Sequence, residues 1–237
     1  MRIYKALTPI KVLSFDLDDT LYPNGDVISR AELAMQQRLR QLLGEVSYND
    51  PLYWWQQRKI LAALKPQIRH DVSQWRLLAL EQGLTAQGIQ SCAAAEIAEL
   101  AMLAFVEART AIQLPATVRP LLQQLASRFS LIAISNGNAD IQRMGLGDLF
   151  EFGLRAGPDG RMKPFADMFL HAAERLAVAP AQILHIGDHV RSDVLGALNA
   201  GCQAGWLNLN PGDCKALTTL PQLEIHRLES LLPLLDV

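Results

Sequence analysis

Two hydrophobic patterns follow one another along the chain. Val12–Phe15 is a short, largely apolar run that stops abruptly at Asp16-Leu17-Asp18-Asp19-Thr20. A run of that length, bounded by polar turn residues, predicts a buried strand. After the turn Pro23-Asn24-Gly25 the period changes: Ile28, Ala31, Met35, Leu39 and Leu42 recur at intervals of three and four, as on one face of a helix. Similar periodicity marks Leu52–Leu64, Val72–Leu80 and Ile89–Ala108, with Gly44, Pro51, Pro66, Gly83 and Gly88 between these segments or near their ends. Four helices in succession, without a strand among them, predict a separate helical module.

Beyond Ile112 the text alternates. Helices near Val118–Ser127, Phe165–Leu176 and Val190–Ala200 precede the apolar strands Leu131–Ile134, Ile183–Ile186 and Ala204–Leu207. Strands separated by helices imply βαβ units, a parallel sheet and right-handed crossovers. The expected fold is therefore α/β, a doubly wound parallel-sheet core from residues 1–25 plus 113–237. An all-helical cap, residues 26–112, is inserted after the first core strand.

Composition narrows the function. Half of the 237 residues are apolar, 19% are charged, and the net charge is −2, so disorder is excluded. No Lys/Arg-rich run supports nucleic-acid binding, and no stretch approaches the ~18 apolar residues of a membrane helix. Cys92, Cys202 and Cys214 have no paired spacing, which predicts reduced, inert thiols. The expectation is a soluble cytoplasmic protein with no nucleic-acid or membrane partner; its oligomeric state is unknown.

Ligands of open α/β sheets bind beyond the carboxyl ends of the strands. Three predicted strands end there in polar groups: Asp16-x-Asp18, Ser135-Asn136-Gly137 and Gly187-Asp188. Carboxylates crowded together are costly unless a cation binds them or one keeps its proton, and Mg²⁺ suits a few carboxylates with waters and phosphate. Hydroxyl and backbone N–H groups at Ser135 and Asn136 can hold a phosphoryl oxygen. Singly, each feature has an ordinary structural use. The acids can cap a loop, Ser-Asn-Gly can be a turn, Lys163 can be a solvated surface lysine, and Asp188 and Asp193 can complement a helix dipole.

Their order is more telling. Asp16-x-Asp18-x-Thr20, a strand-end Ser135, Lys163 before a helix, and Gly187-Asp188-x₄-Asp193 together resemble the motif set of the haloacid dehalogenase superfamily, over Leu13–Leu21 and Leu131–Asp193. The resemblance implies a Rossmann-like core and an aspartyl-phosphate mechanism. Asp16 would be the nucleophile and Asp18 the general acid and base. Asp16, the Asp18 backbone carbonyl and Asp188 would hold Mg²⁺. Ser135 and the Asn136 N–H would bind phosphate, and Lys163 would neutralise charge, oriented by Asp193 in the second shell of side chains.

A narrower set is also similar to the bacterial phosphatases of riboflavin biosynthesis that act on 5-amino-6-(5-phospho-D-ribitylamino)uracil. It comprises Met1-Arg2-x-Tyr4, Phe15–Tyr22, Asn136–Ala139, Gly145–Phe152 and Leu154–Pro158. That similarity implies a small phosphorylated metabolite as substrate. In the cap, His70, Trp75 and Arg76 are candidates for reading a substrate's ring, although an amphipathic helix burying Val72 and Trp75 beside a solvated Arg76 would look the same. Trp54 and Trp55 can both be cap core. His189 reads more simply as a helix-start residue than as a substrate contact. Competing functions are phosphatases of sugar phosphates or flavin mononucleotide, a phosphomutase, a dehalogenase that needs neither Asp18 nor Mg²⁺, and a non-enzymatic phospho-acceptor module. Such modules are shorter and lack an inserted cap.

Overall fold

The computed structural model describes residues 1–44, 50–210 and 219–236. The chain divides into two compact units, Met1–Pro23 with Gln113–Val237, and Asn24–Ile112.

Among the described residues the first unit is built on a seven-stranded sheet: β1 (Arg2–Ile3), β2 (Val12–Phe15), β3 (Ser130–Ser135), β4 (Phe152–Arg155), β5 (Ile183–Gly187), β6 (Gln203–Leu207) and β7 (Leu223–Ile225). Their order is β1-β7-β6-β5-β2-β3-β4. Every neighbouring pair is parallel except β1 with β7, so the sheet is mixed at one edge rather than wholly parallel. The chain runs outward from β2 through β3 to β4, then returns to lay β5 on the other side of β2. That reversal opens a crevice at the carboxyl ends of β2, β3 and β5.

β2 and β5 are buried along their whole lengths, as strands covered on both faces must be. Helix α5 (Val118–Ala126) buries Val118, Leu121, Leu122 and Leu125. Helix α6 (Asp167–Arg175) buries Met168, Phe169, Ala172 and Ala173, which join Ile132, Ile134, Ile183 and Trp206 in one cluster. The predicted helix at 190–200 is a π-helical turn, Val190–Leu195, followed by a single short helix, α7 (Gly196–Asn199). Wide turns of this kind are rare and occur mostly where a helix serves a site.

The second unit contains α1 (Gly25–Leu43), α2 (Pro51–Leu64), α3 (Val72–Ala86) and α4 (Ser91–Thr110). Asp50 and Asp71 cap α2 and α3, each accepting the N–H groups left open at the first turn. Ala31, Met35 and Leu39 of α1 meet Ala94, Ala98, Ala101 and Phe105 of α4 in a shared core. Gly83 lies inside α3, beyond the predicted end at Leu80. A β-carbon there would come within 2.6 Å of the Trp54 ring. Trp54 is thus core, whereas Trp55 is 46% exposed and lies under the Lys59 ammonium.

No helix among the described residues is long and apolar enough to cross a membrane. Cys92 is exposed. Cys202 is buried, and burial pushes its thiol up to about 12; both are free. Cys214 lies outside the described residues.

Candidate active site

The period-two geometry of β2 sends Ser14 and Asp16 to one side of the sheet and the Leu17 side chain into the core. At the same level, the next strand end brings in Asp188 and the π-helical turn brings in Asp193. Asp16, Asp188 and Asp193 each place a carboxylate oxygen within 4.8 Å of the others.

Lys163 enters from the segment before α6 and is 2% exposed. Its ammonium lies 2.7 Å from Asp16 Oδ1, 2.7 Å from Asp193 Oδ1, and donates to the Ile134 carbonyl at 2.7 Å. A buried ammonium resists its charge, but the two carboxylates outweigh this and hold Lys163 above its ordinary value. The surface-lysine reading fails here. Asn136 clamps the lysine backbone: its Oδ1 accepts the Lys163 N–H at 2.6 Å, and its Nδ2 donates to the Lys163 carbonyl at 2.9 Å. The sequence reading assigned Asn136 only a backbone N–H; the amide clamp is an additional use of the residue.

Asp193 has partners on both oxygens. Oδ1 receives Lys163 and the ring nitrogen Nε2 of His185, and Oδ2 receives the His189 N–H at 2.9 Å. Burial opposes its ionisation, yet Lys163 and His185 hold it far below the usual carboxylate range. His189 also caps the π-helical turn, with Nδ1 accepting from the Ser192 N–H, so it has the helix-start role.

Asp16 and Asp188 differ from Asp193. Burial, reinforced by Asp193, pushes Asp188 up to about 6. Burial also raises Asp16, against the pull of Lys163. Asp16 and Asp188, two acids driven toward protonation beside the ionised Asp193, offer hard oxygen donors. A divalent cation relieves their mutual repulsion, so the chemistry of the set fits one. Thr20 Oγ1 donates to Asp188 Oδ1 at 3.4 Å, and the Trp206 indole donates to the Asp188 carbonyl at 2.8 Å.

Ser135 is 1% exposed, and its Oγ accepts the Gly137 N–H at 3.0 Å, which leaves the hydroxyl proton to donate. Asp18 is half-buried and accepts a hydrogen bond from the Tyr22 hydroxyl. Tyr22 stands within a motif segment, but four-residue spacing alone gave no sign of this contact.

The second unit's candidates turn out differently. His70 ends a 3₁₀ turn. Trp75 is half-buried, and its indole donates to the Arg58 carbonyl at 2.8 Å. Arg76 is not solvated: it is 8% exposed, bonds Glu32 at 2.8 Å, and stacks 3.8 Å over Phe105.

A cavity of about 280 Å³ in the first unit is lined by Asp19, Thr20, Tyr22, Leu121, Leu207 and Leu228. It is mainly apolar, and Asp16, Asp18, Asp188 and Asp193 do not line it.

Comparison with known proteins matches residues 10–201 to the family model of haloacid dehalogenase-like hydrolases. The chain is 42% identical to the Escherichia coli 5-amino-6-(5-phospho-D-ribitylamino)uracil phosphatase YigB, over 99% of this chain and 100% of that protein. It is 28% identical to a glyceraldehyde 3-phosphate phosphatase of Methanopyrus kandleri, over 81% of each. Among solved structures, one described as a 2-haloacid dehalogenase from Pseudomonas syringae superposes with a TM-score of 0.88 at 36% identity. That match covers 96% of this chain and 98% of the other.

Proposed function

Since the chain belongs to the haloacid dehalogenase-like hydrolases, we propose that its acid cluster hydrolyses a small phosphate monoester through an aspartyl-phosphate on Asp16. The observation that carries this reading is the buried chain Asp16–Lys163–Asp193, with Asp188 beside it. Lys163 occupies Asp16 Oδ1 and leaves Oδ2 to attack phosphorus. Ser135 and the Asn136 N–H bind the phosphoryl oxygens, while Lys163 offsets the charge that gathers on them.

Asp18 protonates the departing alkoxide. It then takes a proton from the water that hydrolyses the acyl phosphate and frees Asp16. The Tyr22 hydroxyl donates to Asp18 Oδ1 and orients the carboxyl group for these transfers. Asp16, Asp188 and the Asp18 carbonyl would hold Mg²⁺, which would supply Lewis-acid stabilisation of phosphoryl charge. Monoester hydrolysis calls for accelerations up to ~10²¹, whereas one positioned acid gives ~10²–10⁴, so these groups must act together.

The proposed substrate is 5-amino-6-(5-phospho-D-ribitylamino)uracil, supported by the full-length likeness to the phosphatase that bears its name. A dehalogenase also begins with an aspartate nucleophile, and one structural relative is described as such. That chemistry has no use for Asp18 or a cation, so the tethered Asp18 and the three-acid cluster favour the phosphatase. The test measures kcat/KM for the pyrimidine compound, flavin mononucleotide, sugar phosphates and a 2-halo acid. Halide release without phosphate release overturns the phosphatase reading. A phosphatase for which the pyrimidine is among the poorest substrates loses only the specific assignment.

A further inference from the structure

His185 is a fully buried titratable group that the mechanism above leaves without a task. It lies on β5 directly opposite Ser14 of β2, and both are 0% exposed. The Phe169 ring meets it edge-on at 5.0 Å, so the imidazole is fixed in its plane. Each ring nitrogen has one partner: Nδ1 lies 2.9 Å from Ser14 Oγ, and Nε2 lies 3.3 Å from Asp193 Oδ1.

The direction of these bonds follows from chemistry. Asp193 is ionised and can only accept, so Nε2 carries the hydrogen. Burial, aided by Lys163, pushes the imidazole down to about 4, so the ring is neutral and Nδ1 has a free lone pair. Ser14 must therefore donate its hydroxyl proton to Nδ1. The result is a one-way series behind the nucleophile, from Ser14 to His185 to Asp193, which meets Lys163 and then Asp16.

We propose that Ser14 and His185 form a positioning pair that locks the Asp193 carboxylate and, through it, aims the Lys163 ammonium at Asp16 and the phosphoryl group. The proposal rests on the phosphatase reading for its kinetic consequence. His185 touches neither substrate nor cation in it. Lys163 has one hydrogen spent on the Ile134 carbonyl and one on each carboxylate, so its direction is set by where those acceptors stand. An apolar side chain at 185 would fill the strand interior without any desolvation to offset. It would also leave Asp193 Oδ1 with Lys163 alone, so the carboxylate, held only through Oδ2 by the His189 N–H, could pivot and carry the ammonium with it.

The test uses the full chain, Mg²⁺ and p-nitrophenyl phosphate, on variants shown by circular dichroism and melting to be folded. His185→Leu is expected to lower kcat about 10–100-fold, as removal of an orienting partner does, with KM little changed. His185→Gln, which can present an N–H at the place of Nε2, is expected to recover most of that loss. Added to Asp193→Asn, His185→Leu should cost almost nothing further, because both act through one carboxylate. A second readout needs no turnover: long-range ¹H–¹⁵N spectra should show the Nε2–H tautomer for His185, and Ser14→Ala should disturb it. A folded His185→Leu with wild-type kcat, or losses that multiply with Asp193→Asn, overturns the proposal. So does an Nδ1–H tautomer, which also decides the matter if His185→Leu fails to fold. A wild type inert toward every phosphate ester refutes the phosphatase reading instead, and the tautomer still tests the pair.

Discussion

Gly187 is the position where one methyl group should separate fold from chemistry. A β-carbon there would stand 2.3 Å from Asp193 Cγ, 2.5 Å from its Cβ and 2.5 Å from its Oδ2. Carbon atoms pack at about 3.5–4.0 Å, so in Gly187→Ala the Asp193 side chain must retreat by ~1 Å or more. Its bonds to Lys163 and to the His189 N–H, at 2.7 and 2.9 Å, would then pass out of hydrogen-bond range. Overpacking costs about 1–3 kcal/mol, and unpairing a buried charge about 3–5, so a loss of roughly 3 kcal/mol or more is expected. For a chain of this size that is a fall in Tm of about 6–12 °C. Catalysis should drop ~10²-fold, the effect of misplacing a group by ~1 Å. Two glycines serve as controls. At Gly205 the added carbon meets only the side-chain tips of Ile186 at 2.5 Å and Leu223 at 2.9 Å, so Gly205→Ala should lose stability while its kcat stays near wild type. At Gly153 the nearest atom is 3.5 Å away, so Gly153→Ala should change neither by much. Melting curves and steady-state kinetics on the three variants decide it. If Gly187→Ala keeps kcat within about threefold of wild type, or loses no more activity than Gly205→Ala, Asp193 does not aim the site.

Chelation of divalent cations should abolish phosphate release, and Asp188→Asn should raise the Mg²⁺ concentration needed for half-maximal rate; activity in excess chelator contradicts the cation site. Asp16→Asn should be inactive, whereas Asp18→Asn should accumulate an acid-stable, hydroxylamine-sensitive phosphoenzyme, seen by ³²P labelling or intact mass; a wild-type rate in Asp16→Asn rules out covalent catalysis there. The His185 ring has its folded pKa at about 4 against ~6.5 unfolded. The unfolded chain therefore takes the proton first, and the stability due to the neutral ring is present above pH 6.5 and lost toward pH 4, by about 3 kcal/mol in all. Asp188, raised to about 6, adds a slope of opposite sign over the same range, so the His185 contribution is read as the difference between wild type and His185→Gln in denaturant titrations; equal slopes would mean that His185 is not held neutral.

Burial decided which strands were legible. Strands β2, β5 and β6 are covered on both faces and stand out as apolar runs. β4, Phe-Gly-Leu-Arg, alternates buried and exposed positions at the sheet edge and carries a glycine, so its four residues resemble a loop. β1 and β7 have two and three residues, too few for any period to register, and the antiparallel edge went with them. The helical unit was easier, because Ala31, Met35 and Leu39 mark one face over about two turns. Gly83 was misleading there: as a spacer against Trp54 it lies within a helix that its residue type suggested was ending.

The site was legible where chemistry sits next to a strand end, since the end of an apolar run fixes where Asp16, Ser135 and Asp188 must emerge. It was illegible where a side chain acts across the sheet. Nothing along the chain links Asn136 to the Lys163 backbone, 27 positions away, or Ser14 to His185, 171 positions away. In a strand, an inward histidine reads like any other buried residue. Only when β2 and β5 are placed side by side does it become the group between a hydroxyl and a carboxylate. Arg76 shows the converse. Its helix position looked solvent-facing, yet Glu32, 44 positions earlier, and the Phe105 ring draw the guanidinium inside. A single strand or helix shows which residues can meet the interior. Which polar groups then need one another depends on pairings between elements, and at this site those pairings draw Asp16, Lys163, Asp193 and His185 into one buried chain.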